Sequence, residues 1–424
     1  MSQPNLIERR SKLCQNLIDS TNNNKIVIFD SAQELYFNHD CAYLYRQDTN
    51  LYYYCPINQP ASTLVLVSFK DQVTSYLFIE KRDPVKETWI GKRLENEDAK
   101  RLFSVDHVYN NNELEEVMDK LFSELQSSTS IYYNCPDKNS KMSRYIYYKL
   151  GPSSDLLPVV ELQRCIKDPY EIDIMRKSAK ISANAYVSAM KGTRPDMMEY
   201  EIDAILMYEF IRKGVRRVAY NNIVASGENA TILHYDCNNS TMMDGDLLLV
   251  DGGGEYEHYA SDISRTWPIN GKFSEAQREI YQIVLDAQKA CIDMVKPGIS
   301  LADLHKKSVE IVSEGLIKLG ILSGTQEDVI SNLSYKKYYM HGVGHWLGSD
   351  VHDCPAIGKI EFRPGMTFTV EPGLYLDKTC PVEKYRGIGV RIEDDILVTE
   401  NGYEVLSRHV PKEISEIEAI MVKN

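Results

Sequence analysis

Three strand-like runs in the C-terminal part of the chain end in acidic residues, and this constrains the fold more than any other feature. Leu247-Leu248-Leu249-Val250 closes on Asp251 and is followed by Gly252-Gly253-Gly254, Thr367-Phe368-Thr369-Val370 closes on Glu371, and Val390-Arg391-Ile392 closes on Glu393. Short runs rich in β-branched residues read as strands. A carboxylate set against apolar strand neighbours is costly unless something compensates it. Asp262 follows Asp251 after ten intervening residues, a natural length for a hairpin return, so the two can face each other across paired strands. Such a pair needs a shared proton or a cation, or else the two are simply turn residues. Strand alternation puts Arg391 and Glu393 on one face, which leaves a buried salt bridge as the plain reading of that end.

The histidines extend the pattern. Six of the nine fall in or near these runs: His234, His258, His341, His345, His352 and His409. His341 and His345 have the spacing of a helical zinc-binding pair, but Gly342 and Gly344 intervene and no glutamate follows His341, which argues against a helix and a zincin-type base. Taken one at a time, each is as well read as a core or surface group. Four carboxylates and an imidazole together make a hard, oxygen-rich set that suits Mn²⁺ better than a thiolate-rich zinc site does. Four carboxylates balance two divalent cations, and a bridging hydroxide can then form at about pH 7. Such a site hydrolyses something.

The rest of the chain supplies a two-domain frame. The N-terminal part alternates strands, such as Ser62 to Ser68 and Ser75 to Glu80, with an amphipathic stretch from Glu113 to Leu125, and so predicts an α/β domain. A break follows at Gly151-Pro152-Ser153-Ser154. Asp168-Pro169-Tyr170-Glu171 then starts a helix, with Asp at the cap, Pro in the first position and Glu in the third. The boundary is placed to give domains 1–166 and 167–424. Ile172, Met175, Ala179, Ala183, Tyr186 and Met190 form one helical stripe. Ser274-x-x-Gln277 and Ser300-x-x-Asp303 open two more helices, and Gly320 ends the second. With strands at Leu247–Val250, Thr367–Val370 and Ile388–Ile392, the second domain reads as helices on a largely antiparallel sheet, an α+β fold.

Charge and composition exclude several partners. A formal net charge of -13 with no basic run argues against nucleic acid and anionic membranes. No apolar run reaches the ~18 residues of a spanning helix, and Met1 to Lys12 lacks the apolar core of a signal peptide. The nine cysteines are scattered singly between Cys14 and Cys380 without a C-x-x-C pair, which points to a reducing cytoplasm.

Longer motifs carry a resemblance that covers almost the whole chain. They are Tyr45-Arg46-Gln47, Asn58-Gln59-Pro60, Ser226-Gly227-Glu228-Asn229 running to His234-Tyr235, and Ala260 to Thr266. Further on come Met340 to Gly348, Val370-Glu371-Pro372-Gly373-Leu374-Tyr375 and Gly389 to Asp395. In this order they resemble the Xaa-Pro aminopeptidases (aminopeptidase P) of the pita-bread metallopeptidases. The resemblance implies a pita-bread (creatinase/aminopeptidase) catalytic domain behind a smaller N-terminal α/β domain. It implies that Asp251, Asp262, His345, Glu371 and Glu393 hold two divalent ions, most often Mn²⁺, with Zn²⁺, Co²⁺ or Fe²⁺ as alternatives, and that a bridging hydroxide attacks the bond before a penultimate proline. His234, His341, His352, Arg391 and Tyr375 are implied to hold substrate and ligands, and Glu371 to shuttle the proton. Peptides with proline in second place are the implied partners. Assembly into a homodimer or homotetramer through the first domain is also implied, with Trp89 and Asp40 reaching a neighbouring subunit's site.

The sequence departs from the family at Cys354-Pro355, behind His352. Prolidase shares the fold and all five ligands and differs mainly in reading the C-terminal carboxylate of a dipeptide. The Tyr45-Arg46-Gln47 motif favours the aminopeptidase. Methionine aminopeptidases lack a first domain of this kind, and pita-bread domains that act without metal in creatine hydrolysis or as histone chaperones have lost ligands that this chain retains.

Overall fold

The computed structural model describes residues 4–17, 24–70, 72–125, 129–150, 156–358 and 360–422. Two compact units divide between Arg164 and Cys165. The break expected at Gly151 to Ser154 lies outside the described residues. Among those residues no helix is long and apolar enough to cross a membrane.

The N-terminal unit is a five-stranded mixed sheet. Its strands are β1 (Asn24–Asp30), β2 (Thr63–Phe69), β3 (Gln72–Ile79), β4 (His107–Asn110) and β5 (Thr129–Asn134), in the order β4-β3-β2-β1-β5. β1 runs antiparallel to β2 and parallel to β5. Strand alternation divides the central residues between two cores, which explains why β1 and β2 are apolar on both faces. Val27, Phe29, Leu64 and Leu66 pack with Leu6 and Leu13 of α1 (Leu6–Asn16), whereas Ile26, Ile28, Val65 and Val67 pack with Leu114, Met118 and Leu121 of α2 (Leu114–Leu125).

The motif residue Gln47 is part of this scaffold. Its Oε1 accepts from the main-chain N–H groups of Ala32 and Asp48, and its Nε2 donates to the carbonyls of Ile57 and Gln59. One buried amide thus joins the Tyr45-Arg46-Gln47 and Asn58-Gln59-Pro60 motifs.

The C-terminal unit begins with α3 (Pro169–Gly192). Its first turn is fixed by a reciprocal cap, with Glu171 N–H donating to Asp168 Oδ1 at 2.9 Å and Asp168 N–H to Glu171 Oε2 at 3.0 Å. The face carrying Met175, Ala179, Ala183, Tyr186 and Met190 is buried, as the stripe predicted. After α4 (Glu199–Arg212) come α5 (Glu275–Asp293) and α6 (Leu301–Lys318), capped by Ser274 and Ser300, and Gly320 follows α6 with a φ of +70°.

The strands of this unit form several small antiparallel sheets rather than one broad sheet. β6 (Ile223–Ser226), β7 (Leu247–Gly252) and β8 (Ile263–Pro268) are ordered β8-β7-β6. β9 (Thr367–Val370), β12 (Asp394–Val398) and β13 (Tyr403–Val405) are ordered β9-β12-β13, and β10 (Gly373–Leu376) pairs with β11 (Ile388–Arg391).

The link from β7 to β8 is not the plain hairpin that its length suggested. It makes an excursion through two short strands, Gly254–Tyr256 and Tyr259–Ala260, the first of which also pairs with Arg217–Val218. Asp251 therefore sits opposite Ser264, and Asp262 lies diagonally on the same face. The chain re-enters against Gly253, where a Cβ would lie 1.7 Å from the Ser261 carbonyl oxygen. Only glycine allows that approach.

Candidate metal centre

Strand ends from separate sheets meet in a cavity of about 560 Å³ whose walls include Asp251, Asp262, His234, His341, His345, His352, Glu371, Tyr375, Arg391 and Glu393. Asp251 comes from β7, Asp262 from the entry to β8, Glu371 from the residue after β9, and Glu393 from the turn between β11 and β12. His341 and His345 lie on an irregular segment, as their glycines predicted. One oxygen each of Asp262 and Glu393 and one ring nitrogen of His345 lie within 4.8 Å of one another.

The orientation of His345 matters most. Its Nδ1 faces the Trp346 carbonyl at 3.1 Å, and a carbonyl can only accept, so Nδ1 carries the proton. Nε2 then points its lone pair at Asp262 Oδ2, 3.3 Å away, and Glu371 Oε1, 3.4 Å away. A lone pair facing two carboxylates is repulsive unless a proton or a cation lies between. Burial opposes charging this ring, but the attraction of Asp262 and Glu371 outweighs it and lifts the pKa to about 9.

The carboxylates show the same strain. Burial, with the neighbouring charges of Asp262, Glu371 and Asp251, pushes Glu393 well above the usual range. Burial raises Glu371 to about 7 against the pull of His345. Carboxyl groups crowded and buried in this way are what a divalent ion would relieve, and their hard oxygen donors fit such an ion. Asp262 is held low, because the hydrogen bond and charge of His345 outweigh its burial.

The cation read beside Glu393 belongs to Asp251 instead. Arg391 Nη2 donates to Asp251 Oδ2 at 2.6 Å, its Nε donates to Ser264 Oγ at 2.8 Å, and Ser264 Oγ in turn donates to Glu393 Oε2 at 2.8 Å. Alternation does bring Arg391 and Glu393 to one cavity and to the same Ser264 hydroxyl, but the ion pair forms with Asp251 on another strand.

Arg391 Nη1 also donates to Tyr375 Oη at 2.9 Å, and that hydroxyl lies 2.9 Å from His341 Nε2. His341 Nδ1 faces the Gly342 carbonyl at 2.8 Å and must donate to it, so Nε2 accepts the tyrosine proton. Burial and Arg391 lower His341 to about 3, which keeps the ring neutral at neutral pH. The His352 ring packs edge-on against His345 with centroids 4.4 Å apart. His234 stands exposed on the wall.

Tyr220 went unread in the sequence. Its hydroxyl bonds Asp251 Oδ1 at 2.5 Å and also Asp262 Oδ1, closing the cavity floor. It occupies an irregular stretch between Val218 and Ile223, where no periodicity marks it. Thr369 was missed as well; its Oγ1 accepts from the His345 N–H and donates to Glu371 Oε1. Strand alternation could have shown it, since it stands two residues before Glu371.

Other expected residues lie elsewhere. His409 lines a different cavity, with Arg265 and Asp394, and His258 sits in a hairpin turn with a φ of +64°. Trp89 and Asp40 line a cavity of about 790 Å³ within the N-terminal unit. At the departure, Cys354 adopts a φ of +49°, and its thiol donates to Asp353 Oδ2, which also takes Lys167 Nζ at 3.2 Å.

Comparison with known proteins agrees with this geometry. Residues 173–400 match metallopeptidase family M24, and residues 6–132 match the aminopeptidase P N-terminal domain. A Xaa-Pro aminopeptidase of Haemophilus influenzae is 41% identical over 94% of this chain and 93% of its own. Zinc-substituted aminopeptidase P of Escherichia coli, in complex with product, superposes with a TM-score of 0.91 at 37% identity, covering 99% of this chain and 98% of that one. The Escherichia coli enzyme with the inhibitor Pro-Leu gives 0.90 at 38% identity over the same shares. The chain belongs to the M24 metallopeptidases, carries an aminopeptidase P N-terminal domain, and is a relative of the bacterial Xaa-Pro aminopeptidases.

Proposed function

We propose that this protein removes the N-terminal residue from peptides with proline in second place, using two divalent ions, Mn²⁺ by preference, held by Asp251, Asp262, His345, Glu371 and Glu393. The observation that carries the reading is the convergence of His345 Nε2 on Asp262 Oδ2 and Glu371 Oε1, at 3.3 and 3.4 Å, with a Glu393 oxygen in the same cluster. When bound, the ions supply Lewis-acid polarisation of the scissile carbonyl and a lowered water pKa. Charge balance supports two of them. Four carboxylates, Arg391 and two divalent ions sum to a single positive charge, which an attacking hydroxide neutralises.

The chain's own groups do the rest. A prolyl amide has no N–H, and its nitrogen needs a proton to leave. Glu371, within reach of His341 and His345, carries that proton. Neutral His341, tied to Tyr375, and the exposed His234 and His352 orient the substrate around its scissile carbonyl. Ile223, Leu233 and Val351 provide an apolar wall for the ring, and the free α-amino group sits against the acidic cage. His341→Ala should keep its metal and lose turnover by about 10²-fold.

Release of free Xaa from Xaa-Pro-Yaa and from Xaa-Pro by the Mn²⁺-loaded protein tests the reading. Cleavage of the dipeptide alone makes it a prolidase, and cleavage of neither overturns it. The exposed Trp89, with Asp40, would reach a neighbouring copy's pocket in a homodimer or homotetramer. A monomer in light scattering excludes that role.

Metal removal should show a particular pH dependence. Glu371 and Glu393 have raised folded-state pKa values, so below about pH 4.5 the metal-free site pays little for them, and as pH rises to about 7 and beyond they ionise against one another. Stability of the chelated protein from this source falls over that window by a few kcal/mol. The gap between loaded and chelated melting temperatures should therefore widen from about pH 5 to pH 8. A constant gap would mean that no cation relieves these carboxylates.

A further inference from the structure

Glu199 opens α4 and is completely buried, yet among the described residues no cation faces it. Five donors do. Oε1 accepts from the Ser226 main-chain N–H and hydroxyl, both at 2.7 Å, and from Asn229 Nδ2 at 3.0 Å. Oε2 accepts from Tyr235 Oη at 2.8 Å and from the Ser240 N–H at 2.9 Å. All five come from one loop, Ser226 to Ser240, which carries His234. Asn238 fastens the same loop to the strand behind it, accepting from the Val224 N–H at 2.9 Å and donating to the Asn222 carbonyl at 2.8 Å.

The His234 ring stands exposed on the pocket wall and makes no hydrogen bond of its own among the described residues. Its place is thus set by its main chain, and the nearest anchor is the next residue, Tyr235, whose hydroxyl ends on Glu199. A desolvated carboxylate without a counter-charge is a costly way to fill space, and an apolar residue would fill it more cheaply. What the carboxylate provides is convergence: two main-chain and three side-chain donors are drawn to one point. It also accounts for Ser226, Asn229 and Tyr235, motif residues that the metal centre does not use.

We infer that Glu199 is a positioning residue, which holds His234 at the substrate through Tyr235 and the Ser226–Ser240 loop. The inference rests on the proposed role of His234 in substrate handling, and the test separates the two. Glu199→Gln keeps the shape but turns one acceptor into a donor facing donors, and Tyr235→Phe removes a single arm.

Both variants should retain bound Mn²⁺ and lower kcat/KM, Glu199→Gln by up to about 10²-fold, as expected for a misplaced group, and Tyr235→Phe by less. In the His234→Ala background the same changes should have no further effect, because the group they position is already gone. Losses that multiply in the double variants would show that Glu199 acts elsewhere and overturn the inference. So would wild-type rates in Tyr235→Phe while His234→Ala is slow, a comparison that decides the matter if Glu199→Gln fails to fold. A His234→Ala enzyme at the wild-type rate rejects the role of His234 itself, and the inference with it.

Discussion

Glu393→Ala and Asp262→Ala are each expected to lose bound divalent metal and peptide hydrolysis together, with activity down by at least about 10³-fold. Both side chains belong to the cluster whose donor atoms converge within 4.8 Å, and among the described residues no lysine or arginine forms an ion pair with either. Arg391 is committed to Asp251, Ser264 and Tyr375. Removing Glu393 would leave the Ser264 hydroxyl without its acceptor and the proposed ions one charge short. Removing Asp262 would take away the nearer of the two carboxylates facing His345 Nε2. Metal content by mass spectrometry of the purified variants, with hydrolysis of Xaa-Pro-Yaa, checks both halves. A Glu393→Ala protein that binds as much Mn²⁺ as the wild type would disprove its place in the cage.

The second large effect concerns stability. Asp394, next to Glu393, is fully buried and accepts from Arg265 Nη2, Gln288 Nε2, Lys412 Nζ and Ser407 Oγ. Arg265 is equally buried and also donates to the carbonyls of Ser264, Glu393, Val410 and Pro411. Asp394→Ala would leave that guanidinium charged and uncompensated, at a cost of about 3–5 kcal/mol, or about 10 °C in melting temperature. Burial works against the Asp394 charge, but the attraction of Arg265 and Lys412 wins and holds the carboxyl far below its ordinary range. A depressed pKa stabilises above the unfolded value and is lost as pH falls through the folded one. The deficit of Asp394→Ala should thus be full at pH 7 and shrink only in strong acid. A melting point within a degree or two of wild type would show that the pair contributes little.

Much of the site was legible because chemistry and geometry coincide at strand ends. A carboxylate that closes an apolar run must be compensated, and Asp251, Glu371 and Glu393 announce this by position alone. His345 could be told from His341 only through the family motif, since nothing in the spacing says which ring meets the carboxylates. Local reasoning failed where the chain leaves regular structure. Alternation rightly put Arg391 and Glu393 on one face, but the carboxylate that takes the cation is Asp251, from a strand far away in sequence. The Asp251–Asp262 spacing suggested a hairpin, but a third short strand captures the connection. Tyr220 lies where no pattern exists, and Glu199 looks from sequence like any first-turn acid of a helix. Its five partners are visible only once a distant loop folds over it.

The five groups around the cavity run from Asp251 to Glu393, so no early portion of the chain contains them all. A nascent polypeptide must release its final strands from the ribosome before the cage can close, and by then α3 to α6 have long emerged. Contacts between such remote positions form late and slowly. An ion held by all five groups could thus be gathered only after Glu393 has been made and folded back onto Asp251.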